Sequence, residues 1–442
     1  MTTKTAAPPR WSPPSLAVAA IIISSLAGYL LAAQERVLLV AGYAPILFAA
    51  LASPVTVIVA GIPLAALNPR FLGGVPVASA MIIGLAASWL LGLLTGRWRL
   101  HGVHLLVVQL AGWLLFAHLR SGQGQNGFRG FILGLLLLSV AVSVHLPLRS
   151  LLTASSAYGV VAAVVTLAGW RSGTRAAGVG LNPNYLGLVL AVGLVALLGE
   201  TLRTRRPVWV LGFALTASAL VKTGSRSALV SAAFGAAILL LSGRPLRVQA
   251  VALIAIPGLA FLVPTESVQS TLLPNRGALE QSYNSSLRMQ AAVSALHAAI
   301  EHPLTGIGYA NFPEYAAADQ RLGIYMNTHN DYLRLAAETG VPGVGLLLTL
   351  LLLPIGRRGR PLTQNERAAT ALIATYSVGL LFANTLESLQ VTVPVWVLLG
   401  SLWHIRTCAP TTCAGANAAV AHSPTVPAIP RRSDLPRARR HG

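Results

Sequence analysis

Long apolar stretches, separated by short polar segments, follow one another along almost the whole chain. A helix that crosses a membrane needs about 20 predominantly apolar residues. Several candidates are short, and 37–67 can also form one broken element, so the pattern predicts 12–14 transmembrane helices. The candidate spans are 15–33, 37–52, 54–67, 75–94, 101–118, 128–144, 151–169, 184–199, 207–221, 225–242, 246–264, 341–356, 366–384 and 390–405.

The composition explains why these apolar residues belong in a bilayer. Hydrophobic residues make up 54% of the 442 positions and charged residues only 10%, whereas a soluble domain has about 25% charged residues. The net charge of +20 does not indicate nucleic-acid binding, because the basic residues form short clusters between apolar stretches. We therefore expect an all-α polytopic membrane protein that contacts membrane lipid and no nucleic acid.

The basic clusters predict the orientation of the chain, because Lys and Arg accumulate in the cytoplasmic segments of membrane proteins. With fourteen spans, every cluster falls on one side, and both termini are then cytoplasmic. The clusters are Lys4 and Arg10, Arg97 and Arg99, Arg203, Arg205 and Arg206, Arg244 and Arg247, Arg357, Arg358 and Arg360, and the tail arginines Arg431, Arg432, Arg437, Arg439 and Arg440.

The segment 265–340, here called the outer loop, falls on the periplasmic side and is too long for a simple connection. We expect N-terminal transmembrane helices at 1–264, C-terminal transmembrane helices at 341–405 and a disordered basic cytoplasmic tail at 406–442. Seven of the twelve acidic residues lie in the outer loop, namely Glu266, Glu280, Glu301, Glu314, Asp319, Asp331 and Glu338.

A first helix is predicted in the outer loop from Asn284–Ser286, which supply a start signal, to Pro303, which stops it. A glycine-rich turn, 303–308, follows the helix. Apolar residues recur on one face of this helix at intervals of 4, 3 and 4, at Met289, Val293, Leu296 and Ile300.

A second helix is predicted to begin at Thr328, which can form a capping box with Asp331. This start places His329 and Asn330 in the first helical turn, and Gly340 ends the helix. The positive end of the helix dipole disfavours the imidazolium, so a neutral His329 can accept a proton. Backbone N–H groups in the same turn can bind an anion. A single histidine in this position is more often a surface residue, so a catalytic role for His329 depends on the neighbouring motifs.

Four motifs in this part of the chain resemble the O-antigen ligase and Wzy polymerase superfamily, with the O-antigen ligases closest in outline. The most specific motif is Asn327–Leu333 with its His-Asn-x-x-Leu pattern, followed by the acidic-x-Gly-x-x-Gly turn at Glu338–Gly343. The motifs cover about 180–345, and the preceding spans resemble the family only in being apolar membrane spans. The other motifs, in the expected order, are Gly180–Asn184, Thr223–Ala228, and Arg288 with His302–Gly308.

The resemblance implies a GT-C-like fold of usually about twelve spans, with the outer loop as the catalytic part. It implies an inverting glycosyl transfer that needs neither metal nor cofactor, at the periplasmic face of the bacterial inner membrane. The donor is an undecaprenyl-pyrophosphate-linked glycan, and the acceptor is lipid A-core or a growing glycan. Matching the motifs assigns the pyrophosphate to Arg226 and Arg288, the acceptor hydroxyl to His329, and further substrate contacts to Asn182, Asn184 and Asn330.

The residue types support this chemistry independently. Arginine forks bind pyrophosphate oxygens bidentately, and a neutral histidine can deprotonate a hydroxyl. The chain has no Asp-x-Asp pair and no His-Glu-x-x-His helix, so no metal site is expected.

Structural roles remain possible for each of these residues. Arg226 can anchor a membrane interface, and Arg288 can be a solvated residue of the first helical turn. Asn182 and Asn184 can cap the following span. We expect Glu338 to be a surface residue near the end of its helix.

Several activities remain open, with O-antigen ligation to lipid A-core ranked first. A Wzy-type polymerase of O-antigen or exopolysaccharide shares the donor, the arginines and the histidine, and differs in its acceptor. A protein O-oligosaccharyltransferase transfers the glycan to a protein hydroxyl. A transporter ranks last, because coupled transport needs ionisable groups within the membrane, whereas most acidic residues here lie in the outer loop.

Overall fold

A computed structural model describes residues 46–67, 70–71, 75–121, 126–171, 175–178, 180–241, 278–319, 322–355 and 362–407. The predicted spans 15–33 and 246–264, much of 37–52, and the tail from residue 408 onward lie outside the described residues. The number of spans therefore stays a prediction.

Helices form nearly all of the described regular structure, and the chain is an all-α polytopic membrane protein as predicted. A helical segment at 46–52 precedes the first labelled helix. Two strands of two residues, β1 (Arg70–Phe71) and β2 (Val75–Pro76), form an antiparallel pair. The helices are α1 (Pro54–Leu67), α2 (Val77–Leu94), α3 (Gly102–Ser121), α4 (Asn126–Ser143), α5 (Leu148–Gly169), α6 (Pro183–Thr204), α7 (Pro207–Thr223), α8 (Arg226–Leu241), α9 (Ala278–Glu301), α10 (Phe312–Ala318), α11 (Asp331–Leu352), α12 (Gln364–Gly379) and α13 (Leu389–Thr407).

Five of the described helices, α2, α3, α5, α6 and α11, are long and apolar enough to cross a membrane. Four shorter apolar helices, α1, α4, α7 and α8, accompany them. The sequence explains where several of these helices begin. Pro183 and Pro207 occupy the first turns of α6 and α7, where the missing N–H of proline costs no hydrogen bond.

Close backbone contact holds the centre of the bundle together. α5 packs against α6, α13 against α4, and α8 against α12. A Cβ atom on Gly159 would lie 2.6 Å from the Cα atom of Gly193, so glycine is required where α5 and α6 cross. Small residues at such crossings allow the van der Waals contact that drives helix association in lipid.

The two ends of the bundle gather different residues. At one end, the ring centroids of His101 and His145 lie 6.0 Å and 5.4 Å from that of His404. The described connections at the opposite end bring α3, α12 and the outer loop together, since the Tyr309 N–H donates to Ala117 O at 3.1 Å and the Asp331 N–H donates to Leu380 O at 2.8 Å. This second end is here called the loop end.

The helix α9 differs from its prediction in start and in contacts. It begins at Ala278 rather than at Asn284–Ser286, and it ends at Glu301 as Pro303 predicts. The buried face that packs on α11 consists of small residues. The predicted apolar residues lie on the opposite side with exposures of 67%, 42%, 51% and 66%, at Met289, Val293, Leu296 and Ile300.

Candidate active site

His329 lies immediately before α11 and has a left-handed backbone conformation, with φ of 54°. The predicted capping box is wrong. The N-cap is Asn330, whose side-chain oxygen accepts the N–H groups of Tyr332 at 3.0 Å and Leu333 at 3.1 Å. His329 therefore precedes the helix instead of lying in its first turn. Histidine is among the few residues other than glycine that adopt this backbone region with some frequency.

Thr328 fails as the cap because its hydroxyl is used elsewhere. It accepts the Asn330 N–H at 3.1 Å and donates to Asn330 O at 2.8 Å, which closes a tight turn around His329. The same hydroxyl contacts Asn384 Oδ1 at 3.4 Å. The His329 segment is therefore fixed from within and also joined to the connection between α12 and α13.

The glycine-rich turn packs directly on the end of the first part of α11. The Ile307 N–H donates to Ala337 O at 2.9 Å, and the Gly308 N–H donates to Glu338 O at 3.0 Å. Gly306 has φ of 63°, and a Cβ atom there would lie 2.3 Å from the Glu338 carbonyl carbon. No residue with a side chain fits this position without displacing α11.

Gly340 breaks the helix as predicted. Its φ of 72° and ψ of −178° interrupt α11, and the Val341 N–H beyond the break donates to Pro303 O at 2.8 Å. Trp113 of α3 donates its indole N–H to Thr339 O at 2.7 Å. The Thr339 carbonyl and the Val341 N–H beside the break therefore find hydrogen-bond partners in α3 and the glycine-rich turn rather than within the helix.

Asn182 is the N-cap of α6, which is one of the two roles considered for it, the other being a substrate contact. Its Oδ1 accepts the N–H groups of Asn184 at 3.0 Å and Tyr185 at 3.1 Å. Since the side-chain oxygens of Asn182 and Asn330 both serve as helix caps, any substrate contact by these residues falls to their amide nitrogens.

Arg175 joins Asn184 to the turn that carries Arg226. Its Nε donates to Thr223 O at 2.8 Å, and its Nη2 donates to Asn184 Oδ1 at 2.9 Å. Gly224 ends α7 in a left-handed conformation, and Arg226 is the exposed first residue of α8. Arg175 was not selected from the sequence, because it lies in a connection without a motif of its own.

The start of α6 also contacts the His329 segment. The Tyr185 hydroxyl donates to Asn384 O, and Asn384 Oδ1 is the partner of Thr328. A continuous series of hydrogen bonds therefore leads from the Arg226 turn through Arg175 and the α6 cap to Thr328 and His329. The residues predicted from separate motifs gather at the loop end of the bundle.

Arg288 acts on His329 from α9. Burial lowers the pKa of the half-buried His329 imidazole below its ordinary value of 6.5, and the positive charge of Arg288 lowers it further. Both causes keep the imidazole neutral at neutral pH, which is the form that accepts a proton. The environment of His329 therefore favours the neutral imidazole, although burial and Arg288 rather than the helix dipole are the causes.

A largely buried charged cluster next to the His329 segment was not predicted as a unit from the sequence. It consists of Asp331, Arg334, Glu387 and Tyr309. Arg334 Nη2 lies 2.8 Å from Asp331 Oδ1, and Arg334 Nη1 lies 2.6 Å from Glu387 Oε1. The Tyr309 hydroxyl donates to the same Glu387 oxygen at 2.6 Å.

Contacts within this cluster favour the ionised form of Glu387. Burial raises the pKa of the Glu387 carboxyl, but Arg334 and the hydrogen bonds from Tyr309 and Arg334 outweigh it and bring that pKa below its ordinary value. Asp331 and Arg334 are 0% and 5% exposed. The spacing of Asp331, Arg334 and Glu338 on one face of an apolar helix was an available signal.

Glu338 corrects another expectation, since it is 1% exposed rather than a surface residue. Its Oε1 lies 3.4 Å from the Phe312 N–H, which donates to it. Glu338 faces the outer-loop residues instead of water, because the glycine-rich turn covers this end of the helix.

Comparison with known families matches residues 211–348 to the family described as O-antigen ligase. The matched range begins in α7 and ends in α11, and includes Arg226, Arg288, His329 and Asn330. Asn182, Asn184 and Arg175 precede it. A comparison with curated proteins gives no match.

Proposed function

Because this chain belongs to the O-antigen ligase and Wzy polymerase superfamily, we propose that it transfers a glycan from undecaprenyl pyrophosphate to a sugar hydroxyl of lipid A-core. The chain is a multi-pass membrane enzyme of the O-antigen ligase type. The donor, the acceptor and the residues that act on each are what we propose. Its main support is the neutral His329 beside the Arg288 charge, within the part of the chain that matches the family.

The proposed reaction is a single displacement at the anomeric carbon of the donor. Neutral His329 removes the proton of the acceptor hydroxyl, and the acceptor oxygen forms a bond to the anomeric carbon. The bond between this carbon and the phosphate oxygen breaks, with inversion, and its electrons leave with undecaprenyl pyrophosphate. Arg226 and Arg288 stabilise the growing charge on the pyrophosphate, the kind of interaction that commonly contributes most to catalysis.

The location of these residues supports a role of this kind. The series of hydrogen bonds through Arg175 and Tyr185 joins the turn before Arg226 to the segment of His329. Asn182, Asn184 and Asn330 line the same region, and we propose that their amides contact the sugars of the substrates. All of these residues lie at the loop end, where a membrane-embedded carrier can present its pyrophosphate.

The acceptor is tested with purified protein and lipid-linked glycan. We expect a glycan–lipid A-core product when lipid A-core is present and no product from the lipid-linked glycan alone. A ladder of longer glycans without lipid A-core would instead identify a polymerase. Transfer to a protein acceptor would identify a protein glycosyltransferase. The product is measured by gel electrophoresis and mass spectrometry.

The same assay tests the metal requirement. Because arginines take the place of a cation at the pyrophosphate, turnover in excess EDTA should equal turnover in magnesium. A loss of activity that one added divalent metal specifically restores would contradict this mechanism. Binding of inorganic phosphate to the EDTA-treated protein, measured by calorimetry, provides a control that does not depend on turnover.

The orientation of the loop end is tested by labelling introduced cysteines. In a background in which Cys408 and Cys413 are replaced by alanine, we introduce Gln290→Cys in α9 and Arg206→Cys before α7. Both positions are exposed. A membrane-impermeant maleimide should label position 290 in intact spheroplasts, and position 206 only after the membrane is opened. Labelling of both from outside would refute a periplasmic active site.

A further inference from the structure

Glu387 joins three parts of the loop end. It follows α12, and its carboxylate lies over the first turn of α4, where a Cβ atom on Gly127 would come 2.0 Å from its Oε2. A Cβ atom on Gly130 would come 1.9 Å from the Glu387 carbonyl oxygen. The same carboxylate accepts Tyr309 from the outer loop and Arg334 from α11. Two glycines in α4 thus make room for this one residue.

The contacts of Glu387 continue to His329 in two ways. Arg334 pairs with Asp331, and the Asp331 carboxylate accepts the N–H groups of Thr385 and Leu386. Asp331 directly follows the Asn330 cap, so it is two residues from His329. Asn384, three residues before Glu387, contacts Thr328 on the other side of His329. The His329 segment is therefore held on both sides by the segment 384–387.

We propose that Glu387 and Tyr309 are positioning residues, which fix His329 at the acceptor hydroxyl through Arg334 and Asp331. This inference rests on the glycosyl transfer proposed above. Neither residue needs to touch the substrates. Glu387 orients the Arg334 guanidinium, Arg334 orients Asp331, and Asp331 holds together the start of α11 and the segment 384–387. Tyr309 keeps the shared oxygen of Glu387 directed at Arg334.

The arrangement predicts which kinetic constant changes. A displacement of about 1 Å at a catalytic group can cost roughly 100-fold in rate. Tyr309→Phe and Glu387→Gln should therefore lower turnover at least about tenfold. Donor affinity should stay unchanged, because it depends on the arginines.

The test compares these variants with Tyr315→Phe. Tyr315 donates to Glu301 at 3.0 Å at an exposed site of the same loop, so this control removes a similar hydrogen bond outside the cluster. For each variant, turnover, donor affinity, thermal stability and the pH profile are measured. Hydrogen–deuterium exchange of the peptide 326–333 reports on the His329 segment without requiring activity. Only the cluster variants should exchange faster.

The outcomes separate this inference from the proposed function. Faster exchange with lower turnover and retained donor affinity supports positioning. Folded variants with wild-type turnover and exchange overturn it, and so does an equal loss of donor affinity and turnover. Tyr309→Phe keeps the ring that packs on Phe128 at 5.8 Å, so it provides a mild variant if Glu387→Gln does not fold. If the wild-type protein transfers no glycan, the proposed function fails, and exchange alone decides about positioning.

Discussion

Replacement of His329 by alanine is expected to lower turnover by about 10²–10⁴-fold and to leave the affinity for the lipid-linked donor nearly unchanged. The reason is that the imidazole acts on the acceptor hydroxyl, whereas the arginines bind the donor. His329→Gly should be equally inactive but at least as stable as His329→Ala, because glycine adopts the φ of 54° without strain.

His302→Ala is the matched control, because His302 is an exposed histidine of the same loop and should retain full turnover. Thermal stability and donor affinity are measured for all three variants before turnover is compared. Near-normal turnover in His329→Ala would eliminate His329 as the base. Unfolding with loss of donor binding would instead assign it a structural role in the turn before α11.

The pH dependence of turnover should follow the lowered pKa of His329. A base with a lowered pKa stays unprotonated below the ordinary histidine pKa of about 6.5, so turnover should decline only in more acidic solution. Arg288→Gln removes one of the two causes of the shift, and the decline should then move to higher pH. An unchanged profile would show that Arg288 does not act on His329.

Arg226→Lys and Arg288→Lys are each expected to weaken donor binding almost as strongly as the alanine variants. A hydrogen bond between charged groups contributes about 1.5–3 kcal/mol, which corresponds to about 10–150-fold in affinity. Lysine keeps the positive charge but loses the planar fork that matches two phosphate oxygens. The loss of donor affinity should therefore depend on the shape of the side chain as well as on its charge.

Arg206→Lys and Arg206→Ala control for a general loss of positive charge, because Arg206 is exposed at the opposite end of α7 from Arg226. Donor affinity is measured with undecaprenyl pyrophosphate in nanodiscs. Full donor affinity with lysine at positions 226 and 288 would show that these arginines act only through nonspecific electrostatic attraction. Equal losses in the Arg206 variants would point to charge on the whole protein rather than to a pyrophosphate site.

Local sequence signals predicted the positions that local physics decides. Gly340 breaks α11 because glycine alone adopts its backbone conformation readily, and Pro303 marks the end of α9 for a similarly local reason. The start of α11 was misplaced because Thr328 and Asn330 are both suitable caps. The tight turn that the Thr328 hydroxyl closes around His329, together with its contact with the distant Asn384, leaves the cap to Asn330.

Burial at the site could not be predicted in the same way. The spacing of apolar residues in α9, such as Met289, correctly predicted a helix. It did not predict which side of the helix packs against the protein, because these residues are exposed. Arg334 and Glu338 are charged and were expected at the surface or left aside, yet both are buried. The Glu338 carboxylate accepts the N–H of Phe312, and Arg334 pairs with Glu387, which is 53 residues away. Periodicity within one helix carries no information about such partners.

The pairing of the glycine-rich turn with the break at Gly340 sets an order of events during synthesis. The turn, 303–308, leaves the ribosome roughly 30 residues before its partner, 337–341, at a rate of about 5–20 residues per second. Until the later segment arrives, the N–H groups of Ile307 and Gly308 lack their acceptors on α11, and His329 lies between the two unjoined segments. A chain that ends before residue 337 therefore contains Arg226, Arg288 and His329 but cannot form the hydrogen bonds that place the glycine-rich turn against α11.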